Sequence, residues 1–365
     1  MTQSAASETV ILIPSLEPDQ RLPDYIRKLM EHGFRRAVIV DDGSGEPYQP
    51  VFQEIETIEG ATVLHHPQNK GKGMALKTGY RFIAESMPDV IGVITADADG
   101  QHSPGDCVRL AEELKKGQKA LYLGSRDFSQ KNVPFKSSIG NRATSLLFKL
   151  LYGRWLPDTQ TGLRAFPRDE LEFMTGIDGE RFEYEMNVLI ACARRHIPMI
   201  PIGIETIYEN ENKGSHYHPL KDSVRIFRVI AGGFIRFMGA SLLCFLIDQA
   251  LAGLLREWLL PLMGLERGSL MLINLSGWLA RLVSAVVNFR LNKDLVFKMK
   301  GNARNAAWKY ALLCLAIITV SNVGVWLLGR IGMVGWLAKI LMDFVLYFVS
   351  YQVQDKWVFK EIQKE

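Results

Sequence analysis

Two carboxylates and an amide, Asp97, Asp99 and Gln101, alternate in TADADGQHSP (95–104), directly after the apolar run VIGVI. Alternate residues of an extended segment point the same way, so Asp97 and Asp99 can share one cation with Gln101 beside them. Hard oxygen ligands in a partial set suit Mg2+ or Mn2+ that also holds substrate phosphates. Asp-Gly is equally an ordinary turn, so the pair alone leaves a capping role open. Two neighbours favour the cation. Asp41-Asp42 ends a second apolar run, and NKGKG (69–73) sets Lys70 and Lys72 among glycines that let backbone N–H groups approach an anion. A metal site, a phosphate-friendly loop and a further acidic strand end point together to a nucleotide diphosphate.

Strand ends must position these groups. TVILIPS (9–15), RAVIVDDGS (36–44), ATVLHHP (61–67) and VIGVITADAD (90–99) read as short apolar strands, separated by helical segments near 22–33, 48–58 and 73–86. That alternation predicts an α/β domain with a mostly parallel sheet covered on both faces. Ligands of such sheets gather at the carboxyl ends of the strands, where Pro14, Ser15, Asp42, Asp97 and Asp99 fall.

PS at 14–15, VDDGS at 40–44, NKGKGMALKTGY at 69–80 and DADGQH at 97–102 resemble the family 2 glycosyltransferases with the Rossmann-like GT-A fold. The resemblance is nearest to the polyprenyl-phosphate branch typified by dolichol-phosphate mannose synthase. GSRD (124–127), IGN (139–141), DTQTGLRAF (158–166) and FEYEMNVL (182–189) continue it over residues 8–225. By that resemblance Pro14, Ser15, Glu17, Asp42, Lys72, Asp97 and Ala98 bind the nucleotide sugar. Asp97, Asp99 and Gln101 hold Mg2+ or Mn2+, Asp158, Gln160 and Arg164 shape the sugar pocket, and Asp99, Arg126 and Asp158 form the catalytic set. DTQTG also reads as a plain structural turn, while Glu185 sits among apolar helical neighbours and suggests a polar role. The family often has Asn-Glu after its first strand, where this chain has Glu17-Pro18. The QxxRW motif of processive synthases is missing, because Leu151 precedes Arg154-Trp155 in place of Gln, which argues against chain polymerisation.

The reaction implied moves one sugar from a nucleotide-diphosphate sugar, UDP favoured, to polyprenyl (undecaprenyl) phosphate with inversion, for cell-envelope glycan modification. Glucose or N-acetylglucosamine is favoured over GDP-mannose. An anionic acceptor needs cationic positioning more than a general base. Arg126, Lys136 and Lys213 are the candidates, with His216 near a membrane entrance. The alternative class is a transporter of lipid-linked sugar whose front half only binds nucleotide sugar.

A formal charge of +4 over 365 residues leaves no nucleic-acid footprint. Four widely spaced cysteines suit buried thiols in a reducing compartment, and MTQSAASET lacks a signal-peptide pattern. Beyond residue 230 the charges thin out. Apolar stretches near 234–255, 269–289, 310–329 and 335–354 each approach the ~20 residues of a spanning helix, predicting an all-α four-helix transmembrane domain in the lipid bilayer. Arg290, Lys293, Lys298, Lys300, Arg304 and Lys309 lie between the second and third, which places both termini and the catalytic domain on the cytoplasmic side of an inner membrane. Between the halves, HPLKDSVRIFRVIAGG (218–233) reads as a basic amphipathic helix for the headgroup layer. The expected division is therefore 1–216 catalytic, 217–232 juxtamembrane and 233–365 transmembrane. A homo-oligomer is left open.

The membrane half repeats, since VNFRLNKDLVFK (287–298) matches VSYQVQDKWVFK (349–360). Two hairpins of one orientation follow, resembling the GtrA-like domains associated with moving lipid-linked sugars. Arg281 and Asp343 occupy equivalent places in that repeat, so a buried ion pair between them is expected. Lys339 is expected to reach the interface and Asp248 to lack a mate.

Overall fold

The structure is a computed structural model that describes residues 4–128, 135–205, 219–267, 269–297, 299 and 301–359, leaving out the side chains of 135–137 and 219–226. The chain forms two compact units that divide between Ile230 and Ala231.

The first unit holds strands β1 (Thr9–Ser15), β2 (Ala37–Asp41), β3 (Ala61–His65), β4 (Gly92–Thr95), β5 (Leu121–Arg126), β6 (Arg164–Pro167) and β7 (Met199–Ile204). Its helices are α1 (Arg21–Glu31), α2 (Gln49–Glu56), α3 (Lys72–Ser86), α4 (Pro104–Lys115), α5 (Phe135–Tyr152), α6 (Leu171–Thr175) and α7 (Glu183–Arg194). The strands make one sheet in the order β3-β2-β1-β4-β6-β5-β7. It is mostly parallel, and only β6 runs against its neighbours β4 and β5. Every residue of β1 and β2 is buried, as β-branched runs covered on both faces must be. α1 supplies part of that cover by burying Leu22, Tyr25, Ile26 and Leu29 on one face. Chain order reverses between β1 and β4, and a crevice at such a switch point lies outside the strands' carboxyl ends.

The fourth strand is shorter than the sequence suggests. It stops at Thr95, whose Oγ1 donates to Gly162 O at 2.8 Å, and the last ladder bond runs from Ala96 N to Leu12 O. The chain then turns through Ala98 and Asp99 into Gly100, which adopts φ 72°. Asp97 and Asp99 therefore belong to a turn, and the argument from strand alternation does not hold for them. Gly162 packs closely against this turn, since a Cβ there would lie 2.3 Å from Asp97 Oδ2.

α8 (Pro219–Leu254) runs into the second unit and leads through a π turn and the single turn α9 (Leu260–Leu262) to α10 (Leu270–Leu291), α11 (Ala303–Arg330) and α12 (Gly335–Val353). Among the described residues four stretches are long and apolar enough to span a bilayer: Phe227–Leu262, Leu270–Val296, Ala303–Arg330 and Gly335–Val358. Helix α8 runs unbroken for 36 residues, about 54 Å at the helical rise, well beyond the ~30 Å of a hydrocarbon core. From Pro219 onward, the segment read as a separate juxtamembrane helix is the beginning of this same helix.

The repeat is visible as geometry. α10 and α12 both end in π turns, Asn292–Val296 and Gln354–Val358, at equivalent repeat positions. The matching Phe297 and Phe359 stack with centroids 5.0 Å apart. The expected Arg281–Asp343 pair is not what forms. Arg281 Nη2 lies 3.4 Å from Asp248 Oδ2, and Lys339 bonds Asp343 at 2.6 Å. Asp248 thus has a mate after all, and Lys339 takes a partner one turn along its own helix. Equivalent residues meet only where their helices converge on the repeat axis, which happens about three turns beyond Arg281, at the π turns.

Candidate active site

The carboxyl ends of β1 and β2 are tied together by Asp42. Its backbone N–H donates to Ser15 O at 2.8 Å. Its buried carboxylate accepts from His66 Nδ1 at 2.7 Å, Lys70 N at 2.9 Å and Gly71 N at 2.7 Å. His66 Nε2 continues to Thr78 Oγ1 on α3 at 2.9 Å. Asp42 therefore shapes the NKGKG loop from beneath. The adjoining Gly43, at φ 78°, allows the two loops to pack backbone on backbone, because a Cβ there would sit 2.4 Å from Gln68 C. Glu17 is exposed at φ 50° and fixed through its N–H to Ser44 Oγ at 2.8 Å.

Lys72 opens α3 and crosses to the turn after β4. Its Nζ lies 2.7 Å from Asp97 Oδ1 and 3.0 Å from Glu185 Oε2 on α7. Burial works against the ammonium charge, but the two carboxylates outweigh it and hold Lys72 charged well beyond the usual lysine range. Asp97 also meets His102 Nε2 at 3.2 Å. Burial opposes its charge in turn, yet Lys72 and His102 keep it ionised far below the usual carboxylate range. Asp99 differs. Burial, and then repulsion from Asp97, push its carboxyl above the ordinary value, and its one backbone donor, Gln101 N at 3.1 Å, does not compensate. Two neighbouring carboxylates with one under-compensated fit a divalent cation whose remaining ligands come from a diphosphate. Among the described residues no cluster of three His, Cys, Asp or Glu side chains could hold a metal unaided.

At the end of β5, Arg126 forks onto Asp158, with Nε to Oδ2 at 2.7 Å and Nη2 to Oδ1 at 3.2 Å. Asp158 is buried and also accepts from Gln160 N at 3.0 Å. Its loop is clamped by Asn141 on α5, whose Oδ1 accepts from Thr159 N at 3.1 Å. Arg164 opens β6, donating from Nε to Thr161 O at 2.9 Å and from Nη1 to Glu185 O at 2.7 Å. Among the described residues its Nη2 and the Oγ of Ser15 are buried without a hydrogen-bond partner.

The fold joins Lys72 with Asp97, and Arg126 with Asp158, pairings that the motifs did not specify. Gln160 is exposed, Pro14 is buried, and Ala98 packs against the core. The Lys136 side chain, Lys213 and His216 lie outside the described residues. Sequence reasoning gave no role to His66, His102 or Asn141. The motifs HHP, DGQH and IGN contain them, but only the fold reveals what they touch.

Acidic, basic and glycine-rich segments thus meet at the strand ends of a chain that also carries bilayer-length helices. Residues 10–172 match glycosyl transferase family 2, and residues 236–359 match the GtrA/DPMS transmembrane domain. An uncharacterised protein of Methanocaldococcus jannaschii is 30% identical over 205 residues, 55% of this chain and 82% of that protein. A UDP-N-acetylglucosamine–dolichyl-phosphate N-acetylglucosaminyltransferase of Methanococcus voltae is 28% identical, over 54% of this chain and 85% of that one. An undecaprenyl-phosphate mannosyltransferase of Micrococcus luteus is 26% identical, over 52% and 81%. The chain belongs to glycosyl transferase family 2 and carries a GtrA/DPMS membrane domain; it is a membrane glycosyltransferase.

Proposed function

We propose that the protein transfers one sugar from a UDP-sugar to a polyprenyl phosphate, undecaprenyl phosphate foremost, with inversion at the anomeric carbon. The observation that carries this reading is the presence of two charged constellations at the ends of β4 and β5: Lys72 between Asp97 and Glu185, and Arg126 forked onto Asp158. The first suits a donor diphosphate and the second an acceptor phosphate. The names of the Methanococcus voltae and Micrococcus luteus relatives support a UDP donor and an undecaprenyl acceptor, respectively.

In this proposal Pro14, Ser15, Glu17, Asp42, Lys72, Asp97 and Ala98 bind the nucleotide sugar. Asp42 does so mainly by holding the NKGKG loop in shape. Asp97, Asp99 and Gln101 hold Mg2+ or Mn2+, which when bound offsets the charge that grows on the departing diphosphate. Arg164 and Gln160 meet the sugar, and the unmet Nη2 of Arg164 suits a hydroxyl. Arg126, aimed by Asp158, receives the acceptor phosphate, with Lys136, Lys213 and His216 as further contacts. A phosphate oxygen attacks the anomeric carbon while the bond to UDP breaks and its electron pair leaves with UDP. The oxygen is already anionic, so no side chain has to take a proton, and one displacement inverts the centre.

We read residues 1–216 as catalytic, 217–232 as juxtamembrane and 233–365 as the membrane domain, with both termini on the cytoplasmic side of an inner membrane. The six cations between the second and third spans support that orientation. Such a product suits cell-envelope glycan modification.

The test is to incubate the purified full chain with a panel of nucleotide sugars, undecaprenyl phosphate and Mn2+. Release of UDP matched by one sugar per extracted lipid is expected. Tight nucleotide-sugar binding without turnover of any donor would favour a lipid-linked sugar transporter with a sensing front half.

A further inference from the structure

Each membrane hairpin brings together an acid, a serine and a cation within its apolar helices. In the second hairpin the set is closed. Lys339 bonds Asp343 at 2.6 Å and Ser321 at 2.9 Å, and Ser321 donates to Asp343 at 3.1 Å. Lys339 is also only five residues into α12, near enough to a helix end to reach headgroups.

The first hairpin is left open. Asp248 and Ser284 are buried, with Ser284 Oγ donating to Asp248 Oδ1 at 3.0 Å. Arg281 meets Asp248 Oδ2 only at 3.4 Å, and its side chain is 72% exposed. Among the described residues that single carboxylate oxygen is the one side-chain partner of a guanidinium with five N–H donors. Arg281 lies midway along α10, about 15 Å from either end, so its side chain cannot carry the charge out to water. Its outward neighbours are Trp278, Leu282 and Val286, all exposed and apolar. Asp248 meets one edge of this cation, and an anion for its remaining donors has to reach it through the hydrocarbon. Only an amphiphile can do so, and the fork of donors matches phosphate oxygens.

We infer that Arg281, backed by Asp248 and Ser284, is a binding site for the phosphate ester of a membrane lipid, separate from the sugar-transfer crevice. Asp248 holds the guanidinium in place and competes with the phosphate for it. This gives two variants opposite effects. Arg281→Gln removes the donors and weakens binding, whereas Asp248→Asn removes the competitor and strengthens it. A mere structural ion pair would respond to both in the same direction.

The experiment titrates full-length protein in detergent with undecaprenyl phosphate or phosphatidylglycerol and counts bound lipids by native mass spectrometry. One retained lipid is expected for the wild type, bound on the order of tenfold or more weaker in Arg281→Gln and tighter in Asp248→Asn. Arg281→Lys should lie between, and it serves as the probe if Arg281→Gln does not fold. Preference for undecaprenyl phosphate identifies a polyprenyl ligand, and equal retention identifies anionic lipids in general; either supports a phosphate site. Equal lipid counts in all variants, or equal loss in Arg281→Gln and Asp248→Asn, would overturn it. So would a change in subunit number on replacing Arg281, because the exposed cation would then be a contact with a second copy. UDP release by the same samples is read in parallel, so failure of the transfer reaction is told apart from failure of this site.

Discussion

Asn292 donates from Nδ2 to Gln354 Oε1 at 3.1 Å, and the two buried residues stand 62 positions apart, the offset of the repeat. Each also turns back on its own helix: Asn292 Nδ2 to Asn288 Oδ1 at 2.7 Å, and Gln354 Nε2 to Ser350 Oγ at 3.0 Å. The two hairpins therefore share a polar seam where their π turns meet. Truncating one amide strands the other in an apolar setting. Asn292→Leu or Gln354→Met should each cost about 1–3 kcal/mol, and the double variant should regain much of that. Thermal unfolding of the full chain in detergent measures it; strict additivity would show that the amides do not couple.

The Arg126–Asp158 fork predicts an effect on the acceptor. Asp158→Asn should loosen Arg126 and lower kcat/KM for polyprenyl phosphate on the order of tenfold to hundredfold, with nucleotide-sugar affinity little changed. Arg126→Lys should behave similarly, because an ammonium cannot fork onto a carboxylate. Initial rates against each substrate separate the two arms. Lost donor affinity with unchanged acceptor kinetics would move Arg126 to the diphosphate.

Metal removal should silence transfer. Chelation is expected to abolish UDP release and added Mn2+ to restore it, while Asp99→Ala should lose roughly hundredfold or more without unfolding, since it lies in a turn outside the core. Full activity of Asp99→Ala in excess chelator would sink the metal assignment.

Burial pushes the thiols of Cys107 and Cys192 up to about 12. At pH 8 both should stay protonated and resist alkylation until the chain unfolds. Peptide mass spectrometry after labelling, with and without denaturant, reads this directly. Early modification of Cys107 would mean that its surroundings open in the native state.

Much of the first unit could be read from its runs of Val, Ile and Leu, because a buried parallel strand leaves little choice of residue. TVILIPS is β1 to the residue. The end of β4 could not be read this way. VIGVITADAD looks continuous, but the strand ends at Thr95, where the chain meets Gly162 of a distant loop. Lys72 was legible as a cation beside glycines, but its bridge to Glu185 spans 113 residues and leaves no local trace. The membrane charges failed for a related reason. The repeat correctly identified equivalent positions, but equivalence does not determine where the helices converge. Asn292 and Gln354 lie at that convergence, and Arg281 and Asp343 lie short of it.

The bridge from Lys72 to Glu185 also sets a clock. A ribosome adding ~5–20 residues per second makes Lys72 roughly 6–23 s before Glu185, a span of 113 residues. β4 likewise waits for β6, its partner on the far side from β1. Throughout that interval the nascent chain carries Asp97 and Lys72 but lacks the loop and helix that enclose them. The Lys72–Glu185 bridge therefore closes late in its unit, with β7 still to be made, shortly before the first apolar helix.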